Sequence, residues 1–202
     1  MGTVRERMLH TARRLRHLKR VIAALEFLQR QRRKLLALLV APSAMYDSTR
    51  LDQIPLDAPA VAGYIGGRFQ TFSKLLVLFP KAKHLSIAVA SRFDADCLDV
   101  EPGDAPPLFA PAWVKRQQVR GVKRPVVYTS VSGAQSLLDL LAKNGISRNA
   151  IRLWTAHYTH VEHLCGPQCG FGMKTVADAT QWTNKALGRE LDQSLTGKGF
   201  WR

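Results

Sequence analysis

Ala95-Asp96-Cys97-Leu98-Asp99-Val100-Glu101-Pro102-Gly103-Asp104 is a short apolar run that ends in two carboxylates one residue apart. Side chains alternate along a β-strand, so a strand over 96–101 places Asp99 and Glu101 on one face and Leu98 and Val100 on the other. Pro102-Gly103 stops the strand. At about 3.3 Å per residue the two carboxyl groups stand roughly 6 to 7 Å apart at its end, close enough to share a substrate. An Asp-x-Glu pair by itself also fits a solvated acidic turn. The segments on either side decide between the two readings.

Moving outward from this stretch, short apolar runs alternate with longer segments. Strands are expected at 44–48, 61–65 and 85–90 before it, and at 125–130, 151–156, 177–182 and 190–194 after it. Helices are expected at 72–79, ended by Pro80, at 112–120, and at 134–144, closed by Gly145. The rhythm is βαβ, with about eight strands and little room for long helices between the last three. This predicts an α/β fold: a parallel, TIM-like β/α barrel with reduced helices late in the chain, whose functional residues lie at the carboxyl ends of the strands. Asp47 closes the first strand, Asp99 and Glu101 the fourth, Tyr128 and Thr129 the fifth, Gln181 and Trp182 the seventh and Asp192 the eighth, while His157 follows the sixth.

The break at Ala41-Pro42-Ser43 divides the chain into a basic helical segment, 1–41, and the barrel, 42–202. The protein has 202 residues and a formal net charge of +15. Residues 1–41 hold eleven Lys and Arg against Glu6 and Glu26, a net of +9, and leave +6 for the rest. Met8, Leu15, Leu18, Ile22, Leu25, Leu36 and Leu39 fall at three- and four-residue steps, which predicts an amphipathic helix over 4–41. Gln29 and Arg32 interrupt the stripe, so two shorter helices fit equally well. Such a helix packs on its own domain, on another copy or protein, or on an anionic surface. No run reaches the roughly 18 to 20 apolar residues of a membrane span. Leu35 to Ala44 lies too far from the first residue to serve as a cleaved signal, which leaves localisation open.

Tyr46-Asp47-Ser48, Leu98-Asp99-Val100-Glu101, Pro125-Val126-Val127-Tyr128-Thr129-Ser130, Leu153-Trp154-Thr155-Ala156-His157-Tyr158, and Thr180-Gln181-Trp182-Thr183 with Leu191-Asp192 occur in the order of the family 25 glycoside hydrolases. Over residues 43–195 the chain resembles that family, and most of all the uncharacterised glycoside-hydrolase-like domains of actinobacteria and their phages. The resemblance implies five β/α units followed by three strands with little helix, and lysozyme-type cleavage of the peptidoglycan glycan. It makes Glu101 the general acid, Asp99 its ionised partner, assisting the anomeric centre or the substrate acetamido group, and Asp47 and Asp192 the other barrel-mouth carboxylates. Tyr128, Trp154, His157, Gln181 and Trp182 are the candidate sugar-binding residues. A glycosidase needs one protonated carboxyl and one ionised one, and crowding several together separates their pKa values in that way. A silent glycan-binding barrel and a virion or assembly protein are the alternatives. The partner expected is peptidoglycan or a related glycan, with self-association or a protein partner through 1–41; nucleic acid is not expected.

His160, His163, Cys165 and Cys169 have zinc-ligand types at a non-standard spacing, and a Cys165–Cys169 disulfide or two free thiols is the expected state, with no metal. The Gly63, Gly66, Gly67 spacing is wrong for a dinucleotide loop, and Ser130 and Ser132 lack a nucleophile-elbow setting, so no cofactor is expected.

Overall fold

The computed structural model describes residue 15, residues 17–32 and residues 43–201. The chain divides into two compact units, Met1–Ala41 and Pro42–Arg202. In the first, residues 17–32 form helix α1, which continues past Gln29 as far as Arg32, the last described residue of this stretch. Leu18, Val21, Ile22, Leu25, Phe27 and Leu28 are all exposed. The remainder of the helix expected over 4–41 lies outside the described residues. No helix among the described residues is long and apolar enough to cross a membrane.

The second unit is a mixed α/β protein built on a closed eight-stranded barrel. Its strands are β1 (Ser43–Asp47), β2 (Ala60–Ile65), β3 (Lys83–Ala88), β4 (Cys97–Asp99), β5 (Val126–Ser130), β6 (Arg152–Ala156), β7 (Ala179–Thr183) and β8 (Asp192–Thr196), and they neighbour one another in sequence order. Strands β1 to β7 run parallel, but β8 is antiparallel to both β7 and β1. The expectation of a parallel barrel throughout is corrected at this strand, and the reason is chain length. Residues 184–191 hold only a three-residue 3₁₀ turn, Ala186–Gly188. A parallel crossover over the full strand needs roughly a dozen residues or more. The equally short link from β3 to β4 stays parallel because Cys97 starts opposite Ile87, near the end of β3, so the chain hardly has to return.

Helices α2 (Phe72–Leu78), α3 (Ala110–Val119) and α4 (Val131–Lys143) follow β2, β4 and β5. The five β/α units implied by the resemblance are therefore not all present among the described residues; β1 and β3 are followed by turns. In α4, the Ser130 hydroxyl accepts from the Gly133 N–H at 3.3 Å and caps the first turn. Val131, Ala134, Leu137, Leu138 and Leu141 form its buried stripe. Gly145, at φ 78°, then takes the left-handed conformation that ends the helix.

Alternation sorts each strand into an inner and an outer set. Met45, Ala60, Ala62, Leu85, Ile87, Cys97, Val126, Tyr128, Trp154 and Ala179 form one core, with Phe200. Leu98, Val127 and Leu153, one residue out of step, belong to the core that takes in Trp113, Leu137 and Leu141 of α3 and α4. Val61 joins Leu75 of α2 and Leu191 in a third. The strand expected over 96–101 shortens to Cys97–Asp99, flanked on its N-terminal side by Asp96. Its Oδ2 accepts from the Ser86 N–H at 3.0 Å and the Ser86 hydroxyl at 2.6 Å.

Candidate active site

Four carboxylates meet at one end of the barrel. Asp47 ends β1 and Asp192 begins β8, and the two are direct Cα partners across the antiparallel pair. Asp192 was expected to close its strand; the reversed direction of β8 means that it opens it, and the same reversal brings it to the end where the parallel strands finish. Asp99 ends β4. Beyond it, the Val100 N–H still donates to the Tyr128 carbonyl at 2.8 Å, so the alternation holds for two more residues. Glu101 thus faces the same side as Asp99 although it stands in a turn, closed by the Asp104 N–H donating to the Glu101 carbonyl at 3.0 Å. Gly103 sits in that turn at φ 98°, a conformation that L side chains avoid.

Asp47, Asp99, Glu101 and Asp192 all line a cleft of about 340 Å³, together with Tyr64, Tyr128, Trp154, Tyr158, Gln181 and Asp104. Tyr128 Oη donates to Gln181 Oε1 at 2.7 Å, and Gln181 Nε2 donates to Tyr158 Oη at 3.2 Å. Trp154 is 1 % exposed; its indole N–H donates to the Ser194 hydroxyl at 3.0 Å, and its ring packs on Tyr128 at 4.5 Å between centroids. Tyr128 and Trp154 therefore form the floor of the cleft rather than exposed platforms. Arg68 and Phe69 stand at its rim, with the guanidinium over the Phe69 ring at 5.5 Å.

The carboxylates differ in burial, and so in protonation. Asp47 is 2 % and Asp99 is 7 % exposed, and one oxygen of each has no hydrogen-bond partner. Burial pushes Asp99 up to about 8, helped by the charges of Asp104 and Glu101. Burial also raises Asp47 strongly, with Asp192 and Asp99 adding to the effect. Asp192 is pushed up to about 6 by burial, against which hydrogen bonding to Gln181 and Asp47 works. Glu101, half-buried, is raised by burial and by Asp104 and Asp192. Burial thus shifts Asp47 and Asp99 toward the neutral form, and Asp192 is raised less than Asp99. Asp99 is buried at the end of β4, whereas Asp192 is only partly buried.

Of the five candidate sugar-binding residues, Tyr128, Trp154 and Gln181 reach the cleft. His157 and Trp182 do not line it. His157 stands beside His163 and Cys165, with its Nδ1 3.1 Å from His163 Nε2. Trp182 stands at the β-bulge between Gln181 and Thr183, with its indole N–H buried and without a hydrogen-bond partner. Tyr64, Tyr158 and Asp104 were not singled out from the sequence. Tyr64 follows the inward Ala60 and Ala62 at the two-residue step, and Tyr158 follows Trp154 and Ala156 in the same way. That parity was the available signal. Asp104 is brought in by the turn after Glu101, which strand periodicity does not reveal.

No protein-family model matches the chain, and no curated protein matches it. Among solved structures, the chain is similar to an uncharacterised B. stearothermophilus protein whose crystal structure was determined at 1.07 Å. The TM-score is 0.53 at 12 % identity, covering 76 % of this chain and 95 % of that one. The likeness is one of fold.

Proposed function

We propose that residues 42–202 form a TIM-like barrel of the family 25 glycoside hydrolase type that cleaves the glycan of peptidoglycan by carboxylate acid/base chemistry. One observation carries the hydrolytic part of this reading: Asp47, Asp99, Glu101 and Asp192, from three separate regions of the sequence, line the same cleft. The choice of peptidoglycan rests on the resemblance of the spaced motifs to that family.

Glu101 is the proton donor. It is raised from its ordinary range and is the carboxyl of the Asp-x-Glu pair that is not enclosed by the barrel. Asp192 supplies the negative charge facing the oxocarbenium-like transition state, because it sits at about 6 while burial raises Asp47 beside it strongly. Neutral Asp99 donates a hydrogen bond to the substrate, a role open to a carboxylic acid held protonated at pH 7.

The test is release of reducing ends from purified cell walls by the full chain and by Glu101→Gln. The expected result is turnover by the wild type and a loss of at least about 100-fold in kcat for the variant, the scale of general acid catalysis, with wall binding retained. Wall binding without turnover by the wild type would overturn the hydrolase reading in favour of a silent glycan-binding barrel.

A further inference from the structure

Residues 157–178 connect β6 to β7 and contain only one 3₁₀ turn, Pro167–Cys169. Loops of this length without secondary structure are uncommon in compact domains and call for something to hold them. Within this loop His157, His163, Cys165 and Cys169 place one ligand-type atom each within 4.8 Å of all the others. We propose that these four side chains bind one zinc ion, which pins the β6–β7 loop.

The spacing between donor atoms fits the metal. For tetrahedral zinc with ordinary Zn–N and Zn–S bonds, the ligand atoms stand about 3.4 Å apart for N and N and about 3.6 Å for N and S. His157 Nδ1 and His163 Nε2 are 3.1 Å apart. Cys165 Sγ lies 3.3 Å from the first and 3.4 Å from the second. The three atoms therefore already form one face of a slightly contracted coordination tetrahedron. Cys169, half-buried at the end of the 3₁₀ turn, supplies the fourth corner.

Bonding around the ligands sets them in advance. His163 Nδ1 is 2.8 Å from the Val161 carbonyl, which can only accept, so the ring proton is on Nδ1 and the Nε2 lone pair faces the cluster. The His157 N–H donates to the Gln181 carbonyl at 2.9 Å. The Cys165 N–H donates to the Thr180 hydroxyl at 2.8 Å, and its carbonyl accepts from the Ala177 N–H at 2.8 Å. Two ligands are thus fixed to β7 and its approach before any metal arrives. Both cysteines are free thiols. Zinc would displace one proton from each thiol to solvent, two protons per ion bound. Four protein ligands close the coordination sphere, which makes the site structural rather than catalytic.

The ligand set departs from the sequence motif in one member. His160 was expected among the candidate ligands, but its Nδ1 is bonded to the Thr183 hydroxyl at 2.9 Å, and His157 takes its place. This substitution supplies a control. The full chain, prepared without a histidine tag, is expected to carry about one zinc per molecule. Replaced by cobalt(II), the site is expected to show thiolate-to-cobalt charge transfer and the intense visible bands of tetrahedral cobalt. Cys169→Ser and His163→Ala should lose the metal, whereas His160→Asn, with Asn tolerating the φ of 57° at that position, should keep it. A wild type without zinc and with no cobalt charge-transfer band overturns the proposal, as does an intact mass showing Cys165 and Cys169 joined as a disulfide. Retention of zinc by Cys169→Ser together with its loss from His160→Asn overturns the assignment of ligands. The wild-type cobalt spectrum reads the thiolate ligands even where a variant does not fold.

Discussion

Replacing Asp99 by Asn tests the electrostatics of the cleft without reference to any substrate. The unfolded chain gives this carboxyl an ordinary pKa of about 4, and the folded protein holds it at about 8. Between those values the folded state keeps a proton that the unfolded state has released. Stability therefore falls as pH rises, by about 1.4 kcal/mol for each pH unit from this group alone. The contribution is fully present below pH about 4 and is gone above pH about 8. Asn is neutral at every pH and has no such slope. Between pH 5 and pH 8 the stability of Asp99→Asn relative to wild type is expected to improve by about 4 kcal/mol. Urea unfolding of both proteins at pH 5, 6.5 and 8, with equal m-values as a check, measures the difference. A difference that stays constant over this range would mean that Asp99 titrates in the fold as it does in the open chain. Asp99 would then be ionised in the folded protein at neutral pH despite its burial.

Asp192, at about 6, is expected to set the acid limb of the pH profile for wall cleavage. kcat/KM should rise through pH 6 as this group ionises, and Asp192→Asn should abolish that limb along with most of the activity; the same limb in residual turnover by the variant would assign it elsewhere. Gly66, at the rim of the cleft, has φ 71°, and a Cβ there would come within 2.5 Å of the Phe93 ring. Gly66→Ala is expected to lower stability by about 1–2 kcal/mol from backbone strain alone; an unchanged thermal midpoint would show that this turn relaxes without cost.

The eight strands and the three helices were legible from runs of apolar residues, because burial on both faces of a barrel strand leaves a dense apolar signal. The direction of the last strand was not, since an apolar run reads the same both ways; it follows from the brevity of residues 184–191 once β8 is seen to pair along its whole length. The site residues divide by the same logic. Asp47, Asp99 and Gln181 share parity with inward neighbours, whereas Trp182 and His157 are one residue out of step. Choosing polar residues near strand ends captured both kinds, and counting in twos from Trp154 would have replaced His157 with Tyr158. The partners of Cys165 and Cys169 were hidden for another reason. A long irregular loop has no period, so the exchange of His160 for His157 is visible only in three dimensions.

The inverted β8 also decides where the barrel unit begins and ends. Ser43 pairs with Thr196, and their side-chain oxygens are 2.9 Å apart, at the end of the barrel away from Asp47 and Asp192. The two ends of residues 43–196 are therefore already neighbours in space. A short peptide from the end of the segment that carries the core residue Phe200 to Ser43, with the chain reopened in an exposed turn, would give a circular permutant with all eight strands in place and the cleft untouched.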